Sequence, residues 1–308
     1  MYEQWIIALL VAPLVIAFES FALRGTKNRT VCTAFHITGL ILMLFFSVQV
    51  ISGVLEKGSI SAFNNWVYVD SLSAIFLGLI AVVGSLAGVY SIGYMNTELE
   101  EGHIDFKTYA HYHGFLYLFF FTMIVSVITN NLILMWVAIE ATTLSSAFLV
   151  GTYKQKTSLE AAWKYIIICS VGVAFGLYGT LLTFANANGV LADPSQAIFW
   201  SAVNQQATGL NPMLMYIAFA FVLIGFGTKC GLFPMHTWLS DAHSEAPSPV
   251  SAILSAVLLN CAMLVVLRYY TLVSKAVGAE FPQTLMLIFG LLSVLVAALF
   301  IIVQFDIK

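Results

Sequence analysis

The sequence predicts an all-α fold: a polytopic membrane helix bundle of about nine transmembrane helices, the seventh of them discontinuous. Three observations carry this. Of 308 residues, 60% are hydrophobic and 9% charged, against about 25% charged in ordinary soluble domains, and mean hydropathy is +0.94. Apolar runs recur at the roughly 20-residue length that crosses about 30 Å of hydrocarbon. One of these runs meets a lysine and then a proline, in "GTKCGLFPMHTWLSDAHSEAPSPVSA". Lipid gives a backbone amide no partner, so runs of this kind are helices. The alternation of a membrane barrel is absent.

Taken in order, the runs are 5–24, 30–55, 71–95, 110–129, 131–151, 158–185, 212–233, 248–271 and 282–304. A short basic loop, 25–29, follows the first. Residues 56–70 read as a polar, hairpin-like linker ending in "NNWVYVD", and 96–108 as an acidic loop. Residues 186–211 carry a single charge, Asp193. In the seventh run, Gly225, Gly227 and Gly231 loosen the backbone around Lys229, and Pro234 cannot continue the hydrogen bonding. The break is expected near Phe233–Pro234, followed by a short amphipathic piece. Pro247 and Pro249 then open the eighth helix, where a first-turn proline is tolerated.

Lys and Arg in the loops set orientation. With the N-terminus outside, inside loops hold Arg24, Lys27, Arg29, Lys107, Lys154, Lys156 and Lys308, and outside loops hold Lys57, Arg268 and Lys275. The expected location is a prokaryotic cytoplasmic (inner) membrane. The net charge of −3 argues against nucleic acid as a partner. The partner is the lipid bilayer. Cys32, Cys169, Cys230 and Cys261 fall in apolar runs without a CxxC, so they read as apolar filler. No cofactor is expected, and no metal: His236 and His243 stand seven apart with no HExxH.

Three ionisable residues are expected at depth: Glu140, Lys164 and Lys229. Such residues cost roughly 2.5–3.5 kcal/mol at a helix centre on insertion scales, so function is the default inference. Glu140 lies mid-run in "LILMWVAIEATTLSSAFLV", with Thr143 on its face at i+3. A structural ion pair is the alternative role. Lys164 also has a surface reading, since Glu160 precedes it by four and its stem can snorkel. Lys229 sits at the break, and broken helices inside a membrane line cavities or are buried in protein. His236, Asp241 and His243 lie at the mouth of the piece that follows. Ser251 and Ser255, one turn apart on the eighth helix, are expected to hold water beside Lys229.

These stretches resemble the proton-translocating antiporter-like subunits of respiratory complex I, Mrp antiporters and membrane-bound hydrogenases. The resemblance rests on K-x-G-x-x-P-x-H-x-W-L-x-D-A-H followed by A-P-x-P-V-S-A, on "WVAIEATTLSSAFLV" and on "VDSLSAIFLGLIAVVGSLAGVYSIGYM". Within the family, "EAAWKY" and the 234–260 stretch are most similar to component F of hydrogenase-4, of the formate hydrogenlyase type. The resemblance implies fourteen spans with two inverted five-helix repeats. Here it implies an N-terminal three-helix segment (1–108), one complete repeat (109–271) and the incomplete start of a second (272–308). A chain truncated after its ninth span is the expectation. The resemblance also implies that Glu140 and Lys229 are the pair of a half-channel, with Lys164 as companion. Some relatives carry a histidine where this chain has Ser255.

The implied function is proton translocation through a buried Glu–Lys relay, in a redox-driven complex of the hydrogenase or NADH/quinone oxidoreductase type. The chain is then a non-redox membrane subunit, its partners being other membrane subunits and protons. A Na⁺/H⁺ antiporter subunit, with Glu140, Thr143 and Ser145 as sodium ligands, and a non-transporting scaffold remain open. Burial disfavours the charged form of both Glu140 and Lys229, whereas closeness favours both charges.

Overall fold

A computed structural model describes residues 2–26 and 28–302. Lys27, Lys308 and the terminal 303–308 stretch lie outside the described residues. Nine helical stretches among them are long and apolar enough to cross a membrane. The first six are α1 (Tyr2–Ala22), α2 (Arg29–Lys57), α3 (Ser71–Glu100), α4 (Phe106–Ile128), α5 (Leu132–Val150) and α6 (Lys156–Asn188). A short helix, α7 (Trp200–Gln205), lies in the loop before the seventh span, α8 (Pro212–Lys229). Then come α9 (Thr237–Glu245), α10 (Ser248–Ile253), α11 (Leu259–Val277) and α12 (Glu280–Ile301). α10 and α11 form one span, Ser248–Val277, joined by a π-helical turn at Leu254–Leu258.

Side chains that prefer caps place the helix starts. Asn28, Asp70, Asp105, Asn131 and Asn211 each accept backbone N–H bonds from the first turn they precede, satisfying donors that a helix start leaves orphaned. The 56–70 linker is a hairpin of β1 (Ser59–Ala62) and β2 (Val67–Asp70), antiparallel with Ile60 opposite Val69. Its turn puts Phe63, Asn64 and Asn65 at positive φ, a region Asn tolerates better than most residues. Asn130 clamps the hairpin to α7: its amide donates to Asn65 O and Ser201 Oγ, both at 2.8 Å.

The seventh span ends earlier than the sequence suggests. α8 stops at Lys229 because Gly231, at φ +74°, turns the chain back. Gly231 N–H donates to Thr228 O (3.1 Å) and Leu232 N–H to Gly227 O (2.9 Å), the paired bonds of a glycine-terminated helix. The glycine ends the helix, and Pro234 comes afterwards. A second departure is Arg268. It belongs to no loop but is buried within α11, 1% exposed, paired with Asp70 at 3.2 Å and lying over the Trp200 ring.

Candidate functional site

α6 and α8 are the most intimately packed pair of spans, and glycines allow it. A Cβ on Gly172 would meet the Thr228 side chain, and one on Gly179 would fall 2.6 Å from Ala218 O. Small residues at such spacing let helix backbones approach inside a bilayer. On α6, Tyr165 and Cys169 continue the glycine face at helical spacing, and Tyr165 thereby reaches the end of α8.

Lys229 is fully buried there. Its Nζ donates to Thr143 Oγ1 of α5 (2.8 Å) and to Tyr165 OH of α6 (2.5 Å). It also lies 4.4 Å from the Tyr165 ring centroid and 5.6 Å from that of Trp238. Trp238, from α9, stacks on Tyr165 at 4.7 Å and donates its indole N–H to Thr228 O. The piece after the break thus closes over the lysine with an aromatic lid. The Tyr165 hydroxyl is 2.7 Å from Ser146 Oγ, which donates to Thr142 O. An ammonium, a phenol and a serine hydroxyl therefore form a connected chain. Each hydroxyl both donates and accepts, so the chain has the parts that proton hopping requires.

Glu140 sits one turn before Thr143 on α5 but is not in contact with the lysine. Among the described residues no ion pair joins the two. Glu140 Oε1 accepts from Ser170 Oγ at 2.5 Å, Oε2 is buried without a protein partner, and the residue as a whole is only part-buried. Thr143, expected on the carboxylate's face, accepts from the lysine instead.

Lys164 is not at depth. It is half exposed and bonded to Glu160 (2.8 Å) and Asp241 (3.1 Å), so α6 and α9 share a surface ion cluster. Its snorkelling stem keeps the ammonium at the rim. His243 is buried, with Nδ1 2.7 Å from Ser251 Oγ, and ties α9 to α10. His236 lies between the Phe233 and Phe300 rings, its Nδ1 buried without a hydrogen-bond partner. The serines do not flank the lysine: Ser251 faces His243, and Ser255 is exposed in the π-helical turn. Pro234 is exposed beyond the break.

Tyr165, Ser170 and Trp238 were not picked out by sequence reasoning, although Tyr165 and Trp238 stand inside the quoted motifs. The available signal was the spacing Tyr165, Cys169, Gly172, Gly176, Gly179 on one helix face.

Residues 129–308 match the family model described as NADH:quinone oxidoreductase/Mrp antiporter, TM. Residues 61–105 match that of NADH-ubiquinone oxidoreductase (complex I), chain 5 N-terminus. Among curated proteins, the hydrogenase-4 component F homolog of Methylacidiphilum infernorum (isolate V4) is 41% identical over 240 residues, covering 78% of this chain and 50% of that protein. The Na(+)/H(+) antiporter subunit A1 of Staphylococcus aureus (strain bovine RF122 / ET3-1) is 29% identical over 280 residues, covering 87% and 32%. The fold matches a chain of the membrane-bound sulfane sulfur reductase, an archaeal respiratory membrane complex (TM-score 0.78, 19% identity, 92% of this chain and 56% of that one). It also matches a chain of respiratory complex I from Thermus thermophilus (TM-score 0.69, 23% identity, 96% and 58%). The chain thus spans half or less of the length of these curated relatives.

Proposed function

The chain belongs to the membrane-subunit family of NADH:quinone oxidoreductases and Mrp antiporters, and from that premise we propose that it carries protons in a redox-driven membrane complex. Lys229 is the proton-binding centre, and the Tyr165–Ser146 hydroxyls are its conducting path. Glu140 is the second charge, acting on Lys229. Lys164, Asp241 and His243 line the mouth from which the site is loaded. That mouth faces the cytoplasm of a prokaryotic inner membrane, with the N-terminus outside, and spans four to eight act as one five-helix unit. Other membrane subunits of a hydrogenase or complex I-like assembly are the partners.

One observation carries the reading: a fully buried lysine, at a helix break, held by two neutral hydroxyls rather than by a carboxylate. A lysine locked in an ion pair would be held charged by its partner, whereas hydroxyls accept from an ammonium and can donate to an amine. Moving one charge across 100 mV takes about 2.3 kcal/mol. A neighbouring charge acting at low effective dielectric supplies energies of that order.

A sodium site at Glu140, Thr143 and Ser145 has less support. Thr143 already accepts from an ammonium, and Ser145 donates to Ala141 O and Thr142 O. In the assembled complex reconstituted in vesicles, Lys229→Ala is expected to abolish proton movement while electron transfer persists. Undiminished proton movement in a correctly assembled Lys229→Ala complex overturns the proposal. Flux that requires Na⁺ favours the antiporter instead.

A further inference from the structure

A cleft of about 250 Å³ opens between α4 and the α5–α6 turn, away from Lys229. Its chemistry is divided by depth. Thr108, His111 and Lys154 form one end, at the start of α4 and beyond the end of α5. Phe115, Phe148 and Leu159 form the other. Phe148 belongs to the fifth span and is 61% exposed. Phe115 lies flat against it, ring centroids 4.4 Å apart and planes at 12°. The aromatic wall continues through edge contacts from Phe115 to His111 and from His111 to Phe21.

The polar end is basic and held in place. Lys154 and His111 line the cleft itself, and the charges of Arg24, Lys107 and Asp105 also bear on His111. Asp105 is already committed, accepting the Thr108 amide at 2.9 Å as the cap of α4. Lys154 takes a positive φ of 54°, uncommon for a residue with a side chain. Its ammonium donates to Thr108 Oγ1 at 2.6 Å, which engages one of three donors.

We propose that this cleft binds an anionic phospholipid. Its phosphate lies against Lys154 and His111, with the Lys107 charge nearby, and one acyl chain lies along Phe115 and Phe148. The assignment follows from three complementarities. Lys154 and His111 line the polar end and, among the described residues, no carboxylate lines the cleft, which selects an anion. The apolar wall continues below them into the span, which selects a ligand with a hydrocarbon tail. The boundary between the two ends coincides with the end of α5, where a lipid changes from headgroup to chain. A free phosphate fills only the upper end, and a zwitterionic lipid gains little from the excess charge.

The test uses the full chain in nanodiscs of dioleoylphosphatidylcholine with added dioleoylphosphatidylglycerol, and reads the lipids retained by native mass spectrometry. The wild-type protein is expected to retain phosphatidylglycerol in preference to phosphatidylcholine. Lys154→Gln and Lys107→Gln are each expected to weaken that retention about fivefold, from the attraction of a basic residue near an anionic surface. Lys57→Gln with Lys275→Gln, at the hairpin end of the molecule, is expected to leave it unchanged. Dihexanoylphosphatidylglycerol is expected to be held more weakly than the dioleoyl form. Equal retention of the two headgroups by the wild type overturns the proposal. Equal loss in the Lys57/Lys275 control overturns it as well, because the effect is then bulk charge. Displacement of the lipid by millimolar inorganic phosphate makes the site one for free anions and also overturns it.

Discussion

Tyr165→Phe removes one atom from the lysine site and tests the arrangement directly. The ring stays, so the stack on Trp238 and the ring face beneath Lys229 stay too. What goes is the hydroxyl that accepts from Nζ at 2.5 Å, leaving the lysine with Thr143 alone. Ser146 loses a neighbour but keeps its bond to Thr142 O, so its share of the cost is small, about 0.5–1 kcal/mol. A hydrogen bond to a charged group contributes about 1.5–3 kcal/mol, against about 0.5–1.5 kcal/mol between neutral groups. The loss is therefore expected near 2–4 kcal/mol if Lys229 rests as an ammonium and near 1–2.5 kcal/mol if it rests as an amine. Denaturant unfolding in defined micelles measures it, in a cycle with Lys229→Met. In the methionine background Tyr165→Phe is expected to cost only the Ser146 share, leaving a coupling of about 1.5–3 kcal/mol for an ammonium and about 0.5–1.5 kcal/mol for an amine. If the two substitutions add to within about 0.5 kcal/mol, as independent sites do, the phenol does not act through the lysine and the conducting chain proposed here is wrong. If the coupling is real and the conducting state depends on it, proton flux in Tyr165→Phe is expected to fall about tenfold for each 1.4 kcal/mol lost.

Two further perturbations report on the frame around the site. Arg268→Leu leaves Asp70 and Ser73 Oγ without the guanidinium that joins the eighth span to the hairpin. It is expected to destabilise by about 1–3 kcal/mol, since the Asp70 carboxylate left unpaired is 21% exposed and keeps part of its hydration, and Arg268→Leu combined with Asp70→Asn should recover much of that. Unfolding midpoints of the single and double variants check it, and a double variant no better than the single removes the pairing as the cause. Gly179→Ala forces a methyl to within 2.6 Å of Ala218 O and is expected to cost about 1–3 kcal/mol by overpacking. Gly93→Ala, where a methyl meets open space, should be neutral or stabilising by up to about 1 kcal/mol.

The spans were legible because their signal is length and apolar content, and nearly every boundary lies within a few residues of its expected place. The hairpin was legible from its polar turn and the β-branched residues of "VYVD". Which face of each helix turns inward was not, and the reason is physical. In a soluble helix the outer face is polar and marks itself, but in lipid both faces are apolar. Across these spans hydropathy even runs against burial. α1 reads 2.4 with 39% of its window buried, whereas α4 reads 1.5 with 67% buried. So Glu140 and Lys229 stood out by charge, while Tyr165 looked like one more aromatic residue. Lys164 misled for the related reason that a flexible stem separates where a helix places Cα from where the charge resides. Arg268 was misplaced because a buried arginine whose partner, Asp70, lies far away in sequence on the hairpin is indistinguishable, in one sequence, from a loop residue at a span end.

The separation of Glu140 from Lys229 changes what a relay of this kind requires. A contact ion pair resists transfer, because removing the proton from the lysine abandons the attraction that holds both groups. Here the lysine is satisfied by Thr143 and Tyr165, and the carboxylate by Ser170. Each set of hydroxyls serves its group in either protonation state, since a hydroxyl can reverse its role. The Glu140 charge, on the proposed reading, acts on the lysine as a bias rather than as a ligand, and its strength follows distance and local dielectric instead of bond formation. On the proposed reading, the glycine-packed α6–α8 contact is the fixed wall of the site, and the α5 side, where Glu140 is only part-buried, is where a signal from a partner subunit enters.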